Sequence, residues 1–260
     1  MKVVILCGGY GIRIRDVAED IPKALIPVGG RPILWHVMKY YAQFGHRDFI
    51  LCLGYKGYAI KEFFLNYEAL TRDFTITLGA SKLTEFHSKH NESDWRVTLA
   101  ETGLAAMTGA RIRKIKDYLT PGQSFMLTYC DGVGNIDLNA LETFHKMHGK
   151  ILSVTGVRPP GRFGELVHSG TGSVTEFNEK PQATGGRISG GFFVCRPELF
   201  DYLDGDDSQM FEQQPMRRLV DDGQMMMFEH DGFWQPMDTR REYQLLNSLY
   251  EGGKAPWVVW

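Results

Sequence analysis

The sequence predicts an α/β fold with a mixed, mostly parallel sheet, helices on both faces and an elaborated C-terminal half. Residues 3–7 and 49–53 are continuous apolar runs, as expected for strands that are buried on both faces. Amphipathic segments follow each run, which produces a β-α-β-α-β alternation typical of parallel sheets. No repeat, low-complexity tract or linker rich in Pro or Ser divides the 260 residues, so we expect a single domain over 1–260.

The elements follow in order from periodicity and from helix-ending residues. A helix is predicted over 32–44, because Pro32 suits a first turn and Gly45 ends it. GYAIKEFFLNYEAL predicts the second helix, and FTITL the third strand of the alternation. SFMLTYCDG predicts a buried strand, followed by a helix that Asp137 caps and Gly149 ends. Later strands are predicted at ILSVTGV, SVTEFNE and GGFFVCRP, and a closing helix at REYQLLNSLYEGG.

Charge and hydropathy exclude several classes of protein. A formal net charge of −2 argues against a general nucleic-acid binder. The first apolar run is too short for a signal peptide, and no stretch approaches the roughly 18 apolar residues of a membrane span. The four cysteines are Cys7, Cys52, Cys130 and Cys195. They are widely spaced and form no C-x-x-C pair, which favours reduced, buried thiols in the cytoplasm. We therefore expect neither nucleic-acid nor membrane partners.

A glycine-rich loop, LCGGYGIR, follows the first predicted strand. It is not a Walker A loop, because Ile12 and Arg13 follow Gly11 where Lys and Ser or Thr are needed, and it lacks the third glycine of a dinucleotide fingerprint. A bare GGxG is equally consistent with a tight turn. Arg13 or Lys23, taken singly, is equally consistent with an ordinary charge on the surface. Together, backbone amides and two cations after a strand can hold a polyphosphate.

Two aspartates are candidate metal ligands. Asp131 ends a buried strand, where ligands of open α/β sheets bind, and Asp238 lies in WQPMDT. Mg²⁺ is commonly held by one or two carboxylates together with substrate phosphates. An Asp before a Gly is equally consistent with turn chemistry. His145 and His148 have a spacing that could bind metal, but a last-turn pair that complements the helix dipole is the favoured interpretation.

Taken together, these segments resemble the sugar-1-phosphate nucleotidylyltransferases. The resemblance rests on LCGGYGIR…PKALIPVGGRPI, TYCDGV, NEKP and FWQPMD. Finer matches include RPILWHVMKYY, PPGRFGEL and the terminal GKAPW; they cover nearly the whole chain and are most similar to the glucose-1-phosphate cytidylyltransferases. The resemblance implies a GT-A-like Rossmannoid sheet, CTP and a sugar 1-phosphate as substrates, Mg²⁺ as cofactor, release of pyrophosphate and a homo-oligomer.

The resemblance also implies roles for individual residues. Arg13, Lys23 and Asp131 would be catalytic, with both cations on the phosphates, and Asp131 and Asp238 would hold the metal. Arg111 would lie on the base side, and Glu179 and Lys180 would hold the sugar phosphate. The complete set of substrate-binding residues that it implies is Leu6, Cys7, Gly8, Gly9, Tyr10, Gly11, Ile12, Arg13, Lys23, Ala106, Arg111, Cys130, Glu179 and Lys180.

Five positions depart from the family pattern, which usually has Thr, Ser, Gly, Gly and Asn at the positions of Ile12, Ala106, Ala110, Cys130 and Ser189. Three of these changes remove hydrogen-bonding side chains, each worth about 0.5–1.5 kcal/mol where it meets a ligand. The sequence therefore leaves two alternatives open. One is the same reaction with another nucleotide or phosphorylated acceptor, and the other is a catalytically weak protein that binds nucleotide sugars.

Overall fold

A computed structural model describes residues 1–11, 14, 20–79, 83–159, 165–168, 173–178 and 186–260. Ile12, Arg13, Glu179 and Lys180 lie outside these ranges. In chain order the elements are β1 (Lys2–Leu6), β2 (Pro27–Val28), β3 (Arg31–Pro32), α1 (Ile33–Gln43), β4 (Asp48–Leu53), α2 (Gly57–Leu65), α3 (Tyr67–Thr71), β5 (Phe74–Thr77), β6 (Leu83–Phe86), β7 (Arg96–Glu101), α4 (Thr108–Lys114), β8 (Phe125–Tyr129), β9 (Gly132–Gly134), α5 (Leu138–His148), β10 (Leu152–Val157), β11 (Glu165–His168), β12 (Val174–Asn178), β13 (Ile188–Cys195), α6 (Gln214–Asp221), β14 (Met225–His230), β15 (Trp234–Pro236) and α7 (Arg240–Glu251).

A seven-stranded sheet in the order β14-β10-β13-β8-β1-β4-β7 forms the centre of the fold. The pairs β1–β4, β1–β8, β4–β7 and β10–β14 are parallel, whereas β13 runs antiparallel to both β8 and β10. The predicted mixed, mostly parallel sheet is confirmed. Further short ladders, β9–β15 and β11–β12, elaborate the C-terminal half as expected. The organisation as one domain over 1–260 stays a prediction.

The third strand of the predicted alternation was assigned wrongly. FTITL forms β5, which pairs with β6 in a two-stranded ribbon, and the strand next to β4 is β7. Three of the four β5 residues are exposed, so this segment has no face to bury in a central sheet. The predicted second helix is also two helices, which meet at Asn66, where the side-chain amide donates to the Glu62 carbonyl at 2.9 Å.

Helices cover both faces of the sheet, as predicted. Successive side chains of a strand point to opposite faces. Ile5 belongs to the core that contains α1, α5 and α7, and Leu6 belongs to a second core that contains α4 and α6. Within the described residues, no helix is long and apolar enough to cross a membrane.

The histidines at the end of α5 do not serve the helix dipole. His145 and His148 both contact the Ser153 hydroxyl, at 2.8 and 2.7 Å. Burial lowers the pKa of both rings, that of His145 to about 4, which disfavours the charged form that the dipole interpretation requires. Among the described residues, no three His, Cys, Asp or Glu side chains are grouped to hold a metal.

A buried histidine joins the C-terminal segment to the first helix. His36 of α1 contacts the Val28 carbonyl through Nε2 at 2.8 Å, and the Trp257 indole N–H donates to its Nδ1 at 3.3 Å. The ring therefore carries its proton on Nε2 and is neutral. Burial, together with the charge of Arg31, lowers its pKa to about 4. Protonation of Nδ1 would remove the acceptor for Trp257, which belongs to the terminal GKAPW segment.

This arrangement predicts a loss of stability in mild acid. The histidine of the unfolded chain binds a proton near pH 6.5, whereas folded His36 binds it only near pH 4. The unfolded state thus holds more protons between these values, and the free energy of unfolding falls as the pH is lowered from about 6.5 to about 4. We expect His36→Gln to flatten this pH dependence, measured by urea unfolding across the range. Equal slopes for the variant and the wild type would contradict the assignment.

Candidate active site

Asp131 and Asp238 come together because the β9–β15 ladder joins the segments that carry them. Gly132 is opposite Pro236 in this antiparallel pair, and the Met237 N–H donates to the Asp131 carbonyl at 2.9 Å. The ladder therefore aligns the end of β8 with the residues that follow β15. Two aspartates that are far apart in the sequence reach the same edge of the sheet.

Lys23 lies between these two carboxylates. Its Nζ is 2.6 Å from Asp131 Oδ2 and 2.5 Å from Asp238 Oδ1. Gly11, with φ at +58°, approaches the stem of this lysine so closely that an added Cβ would lie 3.2 Å from Lys23 Cβ. The structure thus brings together the predicted catalytic lysine, both predicted metal ligands and the glycine loop.

Electrostatics keep Lys23 positively charged. Burial by itself would lower its pKa, but the charges and hydrogen bonds of Asp131 and Asp238 outweigh burial and raise the pKa well above its usual value. The side chain of Lys23 is only 13% exposed, so water screens these contacts weakly. The cluster therefore pairs one ammonium with two carboxylates.

A capping box holds the backbone of Asp238. Glu242 of α7 accepts hydrogen bonds from the N–H groups of Asp238 and Thr239, at 2.7 and 2.9 Å, and its own N–H donates to the Thr239 hydroxyl at 3.4 Å. Asp238 therefore directly precedes a well-capped helix, whose positive end favours a nearby carboxylate.

The glycine loop forms one wall of a cavity of about 210 Å³. Segment 104–108 forms the opposite wall, and Arg111 and the residues after β8 complete the lining. Of the loop residues that the structure describes, Leu6 to Gly11, Gly9 and Tyr10 are exposed. The predicted site residues that line this cavity are Leu6, Cys7, Gly8, Gly9, Tyr10, Lys23, Ala106, Arg111, Cys130 and Asp131.

Arg111 braces the two walls of the cavity against each other. Its guanidinium donates to the carbonyls of Gly8, Leu53 and Gly103, at 3.1, 2.8 and 2.9 Å, and to the Thr102 hydroxyl at 2.7 Å. The residue is only 5% exposed, and burial lowers its pKa. The geometry thus gives Arg111 a role in holding the glycine loop, while contact with a base stays a prediction.

The departures from the family pattern lie in different surroundings. Ala106 and Cys130 line the cavity, whereas Ala110 is buried within α4 and Ser189 is exposed on β13. The Cys130 thiol contacts the thiol of Cys7, whose pKa is raised by burial and by this neighbour. Both cysteine residues are buried, so the floor of the cavity carries small, weakly polar groups.

Sequence analysis missed a hydrogen-bonded group beside the cavity. Glu212 accepts a hydrogen bond from the Tyr129 hydroxyl and another from the Thr108 hydroxyl, the latter at 2.6 Å. Tyr129 also packs under Gly191, where an added Cβ would lie 2.4 Å from its ring. Tyr129 directly precedes Cys130 in the TYCDGV motif, so its position in the sequence could have predicted that it lies beside the cavity. Glu212 lies in no motif that we identified.

Comparison with known proteins assigns the fold and the cavity to a family. The family model described as nucleotidyl transferase matches residues 2–244. The chain belongs to the nucleotidyl transferase family. The match includes the glycine loop, Lys23 and both aspartates, so the cluster described above lies within the region that defines a nucleotidyl transferase.

Individual relatives of this nucleotidyl transferase agree over the full length. It is 46% identical to the glucose-1-phosphate cytidylyltransferase of Salmonella typhimurium over 260 residues, 100% of both chains. It is 42% identical to a probable glucose-1-phosphate cytidylyltransferase of Bacillus subtilis, again over 100% of both. The solved structure of HddC from Yersinia pseudotuberculosis matches with a TM-score of 0.66 at 21% identity, over 96% of this chain and 99% of that one. This last similarity supports the fold alone.

The contact between Gly8 and Arg111 predicts that substitution by alanine destabilises the protein at Gly8 but not at the neighbouring Gly9. A Cβ at Gly8 would lie 2.1 Å from Arg111 Cζ, whereas a Cβ at Gly9 meets nothing within 4 Å. Gly8→Ala must displace a guanidinium that holds several carbonyls, so we expect a loss of about 1–3 kcal/mol in the free energy of unfolding. Gly9→Ala is the matched control and should change it by less than about 0.5 kcal/mol. Urea unfolding measures both, and equal losses would show that Arg111 does not constrain the loop.

Proposed function

We propose that this nucleotidyl transferase moves a cytidylyl group from CTP to a sugar 1-phosphate, with glucose 1-phosphate as the default acceptor, and releases pyrophosphate. The observation that carries the proposal is the placement of Lys23, Asp131 and Asp238 beside a cavity walled by the glycine loop. The choice of CTP and glucose 1-phosphate is supported by the names of relatives that are 46% and 42% identical to this chain over its whole length.

The aspartate pair suits Mg²⁺ as a cofactor. Asp131 and Asp238 already converge on one cation, the Lys23 ammonium, which acts as a stand-in for a metal ion. Their oxygens are the hard ligands that Mg²⁺ prefers, and substrate phosphates and water would complete its coordination. When bound, the ion would neutralise charge on the phosphates and orient them for displacement.

The reaction requires positioning and charge neutralisation rather than a general base. An oxygen of the sugar phosphate, already anionic, attacks the α-phosphorus of CTP; the new P–O bond forms as the bond to the β-phosphate breaks, and pyrophosphate leaves. Lys23 would reduce the negative charge on the reacting phosphates, and Arg13 would stabilise the departing pyrophosphate. Glu179 and Lys180 would hold the sugar phosphate. Arg111 donates to the Gly8 carbonyl, a contact that would orient this part of the glycine loop before substrate arrives.

A substrate panel tests this function. We expect Mg²⁺-dependent pyrophosphate release from CTP with glucose 1-phosphate, and far less with ATP or GTP. The control variants are Asp131→Asn and Asp238→Asn, which should each lose most of kcat, because each removes a charge from the proposed metal site while retaining size. Asp204→Asn, which removes a carboxylate paired with Arg218 at 3.0 Å on the surface, should retain full activity.

The substrate panel distinguishes a different substrate from a loss of catalysis. Turnover with another nucleotide or acceptor would retain the reaction and correct the substrate. Binding of CTP without turnover of any pair would favour the alternative of a nucleotide-sugar binding protein and overturn the proposal.

We also propose that the chain works in the cytoplasm. All four cysteines are free and buried, although two of their thiols contact each other beside the cavity. Reduced thiols of this kind are typical of a reducing compartment.

We further propose that the chain forms a homo-oligomer through the β5–β6 ribbon. Large apolar side chains are exposed on and beside this ribbon: Leu65, Leu70, Phe74, Leu78 and Leu83. Leu65 and Leu78 are 82% and 84% exposed, and large apolar side chains exposed to this extent commonly belong to an interface. Two strands alone are marginally stable in water, so a partner surface would stabilise them.

Sedimentation analysis tests the proposed oligomer. We expect the wild type to sediment as an oligomer and Leu78→Glu to shift it towards the monomer, because a charge would have to be buried. Met147→Glu, at a similarly exposed apolar residue on α5, is the matched control and should leave the assembly unchanged. A monomeric wild type would refute this proposal without affecting the proposed reaction.

A further inference from the structure

The Lys23 ammonium lies where a bound cation would neutralise both carboxylates. Its Nζ makes contacts of 2.6 and 2.5 Å with one oxygen of Asp131 and one of Asp238. Those two carboxylates are 27% and 29% exposed, so each is largely withdrawn from water and depends on a positive partner. In this structure that partner is a residue of the chain itself.

A divalent cation could not use the same two oxygens while Lys23 stays in place. Mg²⁺ binds carboxylate oxygens at about 2.0–2.1 Å, which is shorter than a hydrogen bond to an ammonium. An ion that bridged the pair would therefore sit next to Nζ, and two positive charges in a site with little water repel each other strongly. At the two oxygens that Lys23 contacts, Asp131 Oδ2 and Asp238 Oδ1, the ammonium and a divalent metal ion therefore compete.

We propose that Lys23 and the metal exclude each other at the Asp131–Asp238 pair, so that Lys23 must swing away before the metal binds. The inference rests on the proposed function, which supplies a reason for the movement. Lys23 lines the same cavity as the glycine loop, so the phosphates of a nucleotide in this cavity would offer its ammonium a second anionic partner. Nucleotide would draw Lys23 off the carboxylates and open them to the metal.

The Lys23 side chain is fixed at its base and flexible towards its ammonium, which allows such a movement. The lysine backbone belongs to the 3-10 turn Lys23–Leu25, and its Cβ packs against Gly11, so the base of the side chain is held. Beyond Cβ, the flexible chain of methylene groups allows the ammonium to change partners. The consequence is a positive coupling between nucleotide and metal, and such a coupling acts equally in both directions.

Binding of Mn²⁺ in the absence of nucleotide tests the exclusion directly, with paramagnetic resonance of the free ion as the readout. Lys23→Met removes the competing charge and retains a long side chain, so we expect Mn²⁺ to bind roughly tenfold or more tightly than to the wild type. Lys23→Arg retains a cation and should bind Mn²⁺ weakly. Lys61→Met is the matched control: its ammonium is 2.6 Å from Glu101, in a surface pair, and its removal should change nothing.

Further measurements separate the possible failures. Added Asp131→Asn should abolish the tight Mn²⁺ binding of the Lys23→Met variant, which locates the ion at this pair. Unchanged Mn²⁺ affinity in a folded Lys23→Met or Lys23→Gln variant would overturn the inference, even if wild-type enzyme releases pyrophosphate from CTP and glucose 1-phosphate. Conversely, if the substrate panel fails but the variants bind Mn²⁺ as expected, the proposed function is wrong and the competition stands.

Discussion

The ion cluster of one lysine and two aspartates is the interaction on which the active-site architecture depends. Two carboxylates held a few ångströms apart repel each other, and burial makes that repulsion stronger. The Lys23 ammonium removes the repulsion in this structure. Three parts of the fold position the residues of this cluster: the β9–β15 ladder, the capping box of α7 and the close approach of Gly11 to Lys23.

A second buried cation has a different purpose. Arg111 directs its donors to backbone carbonyls and a hydroxyl, so it acts as a strut between the glycine loop and segment 102–104. For the polyphosphate binding that we propose for this loop, such a strut is favourable, because backbone amides bind anions well only when they are already oriented. The need for space explains Gly8 and Gly54, where an added Cβ would collide with the guanidinium.

The positions that depart from the family resemblance lie at different distances from the cavity. Ala106 and Cys130 line it directly, while Ala110 is buried inside α4. Two of these positions thus contribute to the cavity wall, and Cys130 directly precedes Asp131 of the ion cluster.

The sequence by itself determined the elements with strong local signals. Continuous apolar runs identified β1, β4 and β8, and Pro32 with Gly45 delimited α1, because periodicity and end residues are local properties. The family resemblance predicted that Lys23, Asp131 and Asp238 belong to one site, and the structure brings the three side chains together. Only the tertiary structure decided that β7 and not β5 completes the sheet, and that Glu212 supports Tyr129. It also decided that Lys23 bridges the aspartates. Each of these depends on contacts between segments far apart in the chain, whose pairing no local pattern encodes.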